Sequence, residues 1–121
     1  VIRRIATRLY ERQVRRLLTV AEREAGEAEI SSRPDAWPVI QGLGGARKAR
    51  VARGGRGKSG GARVIYFFMP APGVVALLMA YAKSDKEDLN EGDRKAIRAA
   101  IEGLREDLGD DTAGQADGGG D

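Results

Sequence analysis

The sequence contains no histidine and no cysteine. Without cysteine it can build neither a disulfide framework nor a thiolate metal site. Without histidine it lacks the commonest general base, any Ser-His relay and the usual zinc ligands. Aromatic residues are scarce, with a single Trp. No apolar run reaches the roughly 18 residues of a membrane span, and no secretory signal pattern opens the chain. These absences lead us to expect a cytoplasmic protein with no membrane partner. Its basic half offers no carboxylate cluster to a metal, and no cofactor is expected. At 121 residues the chain suffices for one domain with a modest core.

What the sequence has in abundance is concentrated. Gly42 to Arg63, GLGGARKARVARGGRGKSGGAR, holds eight glycines, seven Arg or Lys residues and no acid. Residues 1–63 carry a net charge of +9 and residues 64–121 one of −6, so the overall +3 conceals a polar split. A basic half of this kind points to an anionic partner, nucleic acid first. The plainer alternative is a solvated surface balanced by an acidic tail.

Periodicity places the elements. Val1 to Leu9 fits either a helix start or a short strand at Val1 to Arg4. Tyr10, Val14, Leu17 and Leu18 form one helical stripe, and Tyr10 reads as core packing. Thr19 and Glu22 match a capping box that starts a second helix, running to about Ser31. Ala21, Ala25 and Ala28 offer that helix a small-residue face for close packing. Pro34 and Pro38 then break helix, with Trp37 expected to pack the loop onto the core rather than to stack on a base.

Ala46 to Arg53 reads as a strand. If Ala49 and Val51 face the core, Lys48 and Arg50 project together from the open face. Gly54 to Gly61 is a hairpin loop carrying Arg56 and Lys58. Ala62 to Met69 is the next strand, and Val74 to Ala82 is an apolar run suited to the centre of a sheet. Connections this short make the three an antiparallel meander. Asn90 caps a last helix with the stripe Ile97, Ile101, Leu104 and Leu108, and Gly109 stops it. A single domain thus spans 1–108, and the acidic, glycine-rich residues 109–121 are expected to be disordered.

Ala52 to Ser59, ARGGRGKS, satisfies a relaxed phosphate-loop pattern. Such a loop works by aiming the amides of an immediately following helix at phosphate. Here Gly60-Gly61 and a strand follow, which argues against nucleotide hydrolysis. The cation cluster Lys48, Arg50, Arg53, Arg56, Lys58 and Arg63 has two readings. One is sequence-blind, salt-dependent phosphate attraction. The other is RNA cleavage without histidine. Attack by the RNA's own 2′-hydroxyl needs that proton removed, the pentavalent phosphate stabilised and the leaving 5′-oxygen protonated. The Arg fork suits the second task, and Lys or Tyr can serve in proton transfer. Lys83 and Lys86, just past the apolar strand, read on their own as a solvated strand-to-helix turn.

Four segments, YERQVRRLL at Tyr10–Leu18, GLGGARKARVA at Gly42–Ala52, GRGKSGGARVIYFF at Gly55–Phe68 and YAKSDKEDL at Tyr81–Leu89, resemble the RelE/HigB family of type II toxins. The resemblance covers roughly Tyr10 to Leu108. It implies an α+β fold, a small antiparallel sheet with two N-terminal helices packed on it and a C-terminal helix. It implies a ribosome-dependent, metal-independent endoribonuclease that cuts mRNA in the decoding site. Its partners would be mRNA, ribosomal RNA and a cognate antitoxin, in HigB-like systems a helix-turn-helix protein. Carried over by position, the basic pair before the loop falls on Lys48 and Arg50, the phosphate-binding Arg on Arg63, and a basic residue after the third strand on Lys83. Arg47, Arg53, Arg56, Lys58 and Lys86 would grip flanking RNA. Some members use a tyrosine near the C-terminal end, for which Tyr81 is the nearest residue here. Family members often carry bulky residues where Ala49 and Val51 stand, so a looser core is expected. Two alternatives stay open: a ParE-like gyrase-inhibiting toxin on the same fold, and a non-catalytic nucleic-acid-binding module.

Overall fold

The computed structural model describes residues 1–55, 57 and 60–109. Its elements are β1 (Arg3–Ala6), α1 (Arg8–Leu17), α2 (Val20–Ser32), β2 (Arg47–Val51), β3 (Ala62–Met69), β4 (Val74–Ala82) and α3 (Glu91–Leu104), extended by a π-helical turn at Arg105–Gly109. The sheet order is β1-β4-β3-β2. β2, β3 and β4 form the expected antiparallel meander. The ambiguous N-terminal segment resolves as a strand, and it pairs with β4 in parallel, Arg3 opposite Val74 through Ala6 opposite Leu77. The sheet is therefore mixed. Flanked on both sides, β4 is buried along its whole length, which is why it reads as an unbroken apolar run. Residues 110–121, where a disordered tail is expected, lie outside the described residues.

Both faces of the sheet are covered. On one, Tyr10, Val14 and Ile30 of the helical hairpin pack on Ala49, Val51, Val64, Tyr66, Val75 and Leu77. On the other, Ile97 and Ile101 of α3, with Leu43, pack on Ile65, Phe67, Leu78 and Met79. The face that carries Lys48 and Arg50 is accordingly shared with α3 rather than open.

Local chemistry sets each helix. Thr7 caps α1 by accepting from the Tyr10 amide, 3.0 Å. Thr19 and Glu22 form the expected capping box. Glu22 does more: its second oxygen accepts from the Gly54 amide at 2.6 Å, tying the start of α2 to the β2–β3 loop. Those backbone donors, Gly54 first, hold its carboxyl below the usual range. Asn90 and Asp93 make a second capping box at α3.

The close face of α2 is not the alanine face. Ala21 and Ala25 are exposed, while Gly26, Glu27 and Ile30 point inward. The helix is turned this way because Glu27 must meet Tyr10 and Ile30 must reach the core. A methyl on Gly26 would stand 2.6 Å from Val51 Cγ1, so α2 lies close on β2 at this point. Gly26→Ala should destabilise the protein by about 1–3 kcal/mol through overpacking, despite raising helix propensity, and a denaturation curve reads this directly.

Glu27, 8 % exposed, is the buried acid of an ion network. It accepts from the Tyr10 hydroxyl at 2.7 Å and from Arg23 Nε at 2.7 Å, with Arg4 3.7 Å away. Arg23 also forks onto Glu11 at 3.0 and 2.9 Å. Burial, then the Glu27 carboxylate, push the Tyr10 phenol far above its ordinary value. Burial likewise raises Tyr66 and Tyr81. A phenol raised on folding keeps its proton above pH 10 when the unfolded chain does not. Its contribution is intact below about pH 10 and is lost as pH rises beyond it. Stability should fall there by up to about 1.4 kcal/mol per pH unit for each such tyrosine, and Tyr10→Phe should flatten the slope measured by alkaline denaturation.

Candidate nucleic-acid interface

The strand register assembles a row across the sheet. Arg50 on β2 stands opposite Arg63 on β3, and Arg63 stands opposite Tyr81 on β4. Directly opposed residues share a face, so two guanidiniums and a phenol lie side by side at the loop end of the meander. Lys48 is in the next row on the same face, opposite Ile65. Lys83 extends the ladder beyond Tyr81, its amide donating to the Gly61 carbonyl at 3.1 Å.

A β-bulge puts Tyr81 in this row. Pairing runs Ile65 to Met79 and then Tyr66 to Leu77, leaving Leu78 as the extra residue. Strict alternation from Val75 and Leu77 would send Tyr81 to the helical-hairpin face. The inserted residue shifts the parity, so Leu78, Met79 and Tyr81 join the α3 face while Ala80 joins the other. The bulge is held from α1. Thr7 Oγ1 donates to the Leu78 carbonyl at 2.9 Å, and the Ala80 amide donates to Gln13 Oε1 at 2.9 Å. Thr7→Val should remove both this bond and the α1 cap, costing about 1–2 kcal/mol, a loss that thermal unfolding reports.

The cations are not bare. Asp88, 74 % exposed, lies 3.8 Å from Lys48 Nζ, a contact too loose and solvated to contribute much. Lys86 Nζ is 2.6 Å from Asp93 Oδ2, the oxygen that also accepts from the Asn90 amide, so Lys86 is built into the start of α3. Its ammonium also stands 5.4 Å from the centroid of the Tyr81 ring. Arg50 lies 5.7 Å from the Trp37 ring centroid, so Trp37 both flanks the core, as expected, and braces a cation. Arg63 is half-buried beside Tyr81, with Nη1 3.4 Å from the Ala62 carbonyl.

Tyr81 is the most constrained member. Its hydroxyl is buried and has no hydrogen-bond partner among the described residues. Burial raises its pKa, Asp88 and Asp93 add to that, and Arg63 opposes it. At neutral pH it is a protonated donor, and a buried donor without an acceptor costs about 1–3 kcal/mol.

Other residues expected at an RNA surface lie elsewhere. Arg47 belongs to the opposite face of β2 and donates to the Trp37 and Asp35 carbonyls at 2.6 and 3.2 Å. Arg53 donates to the Leu17 carbonyl at 2.9 Å, closing the end of α1. Arg56 and Lys58 lie outside the described residues. Asp88 and Asp93, the counter-ions of Lys48 and Lys86, are marked in the sequence only by acidity directly after Lys83.

Helices on both faces of a four-stranded mixed sheet, with cations gathered at one end of it, define a small α+β protein with a charged sheet end. Residues 39–110 match the family described as the RelE toxin of the RelE/RelB toxin-antitoxin system. The chain belongs to that family. Among solved structures it is similar to the E. coli toxin RelE, in a double arginine-to-alanine mutant in the free state. The TM-score is 0.52 at 18 % identity, over 71 % of this chain and 87 % of that one. At this identity the likeness concerns the fold. Among the described residues no helix is long and apolar enough to cross a membrane.

Proposed function

We propose that this protein is the toxin of a type II toxin-antitoxin pair and acts as a ribosome-dependent endoribonuclease on mRNA. The observation that supports this most is the Arg50–Arg63–Tyr81 row flanked by Lys48 and Lys83. Arg63, central and half-buried, binds the scissile phosphate and stabilises the charge it gains in the transition state. Arginine does not give up its proton in a protein, so proton transfer falls to Lys48 or Lys83, with Arg50 as a second phosphate ligand. Tyr81, held protonated with its hydroxyl buried, backs the row beside Arg63.

In the reaction the 2′-oxygen bonds to phosphorus and the bond to the 5′-oxygen breaks. The 2′-proton leaves to the base and the 5′-oxygen gains one. The products are a 2′,3′-cyclic phosphate and a 5′-hydroxyl. No metal is needed in this scheme. The ribosome supplies substrate geometry, which offsets the lack of histidine. Arg56 and Lys58 are assigned to flanking RNA, and Arg47, Arg53 and Lys86 more weakly, since each is already engaged within the fold. The setting is the cytoplasm, and the controlling partner is an antitoxin with a helix-turn-helix domain. Inducing the protein in cells and mapping mRNA 5′ ends tests the proposal. New ends within translated regions are expected; growth arrest with intact messages contradicts it.

A further inference from the structure

Beside the row, α1 and the end of β4 enclose a groove of about 400 Å³ lined by Arg12, Gln13, Arg16, Tyr81, Asp85 and Lys86. Arg12 and Arg16 are exposed and one helical turn apart, so they lie above one another on the same face. Among the described residues neither has a hydrogen-bond or ion-pair partner. This sets them apart from Arg4, Arg23, Arg47 and Arg53, each of which is spent inside the fold. Gln13 is fixed by the Ala80 amide through its oxygen, which leaves its NH2 group as the free end of that side chain. Asp85 is the only carboxylate in the lining, and Lys86 is already neutralised by Asp93.

We propose that this groove is a second phosphate-binding site, in which Arg12 and Arg16 hold the backbone of the same RNA strand on one side of the scissile phosphate. This rests on the function proposed above. Two observations and the chemistry of arginine carry it. Two unspent arginines face one carboxylate, so the groove favours an anion. Arginine forks suit phosphate oxygens better than point charges do. The groove and the row share Tyr81, so the groove adjoins the position proposed for the scissile phosphate. The bulge at Leu78 therefore serves two purposes: it places Tyr81 in the row, and its anchor Gln13 floors the groove.

The test is binding of the full-length protein to a single-stranded RNA of roughly 12 nucleotides, long enough for an extended site, with 2′-O-methyl groups that prevent cleavage. Affinity is measured against salt. Removing two phosphate contacts lowers the slope of log affinity against log salt by about 1.4 and weakens binding by roughly 10- to 30-fold near 0.1 M salt. That result is expected for the Arg12→Gln, Arg16→Gln double variant. A charge-matched control, Lys95→Gln with Arg98→Gln on the exposed side of α3, should leave the slope near wild type. Equal losses in both variants, or no RNA binding by the wild-type protein at any salt, overturn the proposal. So does a double variant that keeps RNA affinity but loses affinity for an acidic peptide, which would make the groove a protein-docking surface. The proposed activity is scored apart, by mRNA cleavage with and without Arg63→Ala, so the groove can fail while the nuclease assignment stands.

Discussion

Arg63→Ala should lower mRNA cleavage by about 10²- to 10³-fold, the usual effect of deleting one preorganised donor to a transition-state oxyanion, and should abolish growth arrest on induction. The side chain stands between Arg50 and Tyr81 in the cross-strand row. Its loss removes the central positive charge and the fork that can grip two phosphate oxygens together. Arg63→Lys keeps the charge and loses the fork, so it should fall between wild type and alanine. The fold should survive, because the neighbouring Ala62, Val64 and Ile65, not Arg63, carry the packing of β3. A melting curve close to wild type makes the comparison valid. An Arg63→Ala protein that is folded and fully toxic contradicts the site assignment.

The largest loss of stability is expected at the opposite face. Glu27→Ala removes the shared acceptor of the Tyr10 hydroxyl and Arg23 Nε and takes away the nearby carboxylate from Arg4. Removing one partner of a buried, hydrogen-bonded ion pair costs about 3–5 kcal/mol, because the other charge is left uncompensated. For a domain whose whole stability is about 5–15 kcal/mol, that is a large share. Arg23 keeps its two bonds to Glu11, which limits the loss. Glu27→Gln keeps an acceptor and drops the charge, so it should cost less. Tyr10→Phe removes one bond and leaves the ion pair, so it should cost less again. Chemical denaturation of the three variants gives the order directly; an alanine variant as stable as wild type would show that the network contributes nothing.

Local features were legible in the sequence because their causes are local. The Thr19–Glu22 and Asn90 caps, the ends of β3 and β4, and the pairing of Lys48 with Arg50 on one face follow from residue type and a period of two. What escaped depends on contacts between distant segments. The parallel pairing of β1 with β4 was invisible at Arg3–Ala6, where charge dilutes the apolar pattern. The orientation of α2 does not follow its alanines, since three alanines outline a face as clearly as Gly26 does, and only Glu27 meeting Tyr10 decides between them. For the site, strand parity finds Lys48 and Arg50, the family resemblance adds Arg63, and Tyr81 joins them only once the bulge at Leu78 is known. No single-sequence pattern marks that bulge, because Val74 to Ala82 is apolar on both faces. Arg47 and Arg53 show the converse limit: as charges in a basic run they resemble the site residues, yet in the fold they close a loop and a helix end.

A reconstituted translation reaction with purified ribosomes and a defined message tests the central claim most directly. The protein should cut the message only when ribosomes are present, leaving 2′,3′-cyclic phosphate and 5′-hydroxyl ends, and Arg63→Ala should leave it whole. An uncut message, with DNA gyrase supercoiling blocked instead, would contradict the nuclease and leave only the fold in common.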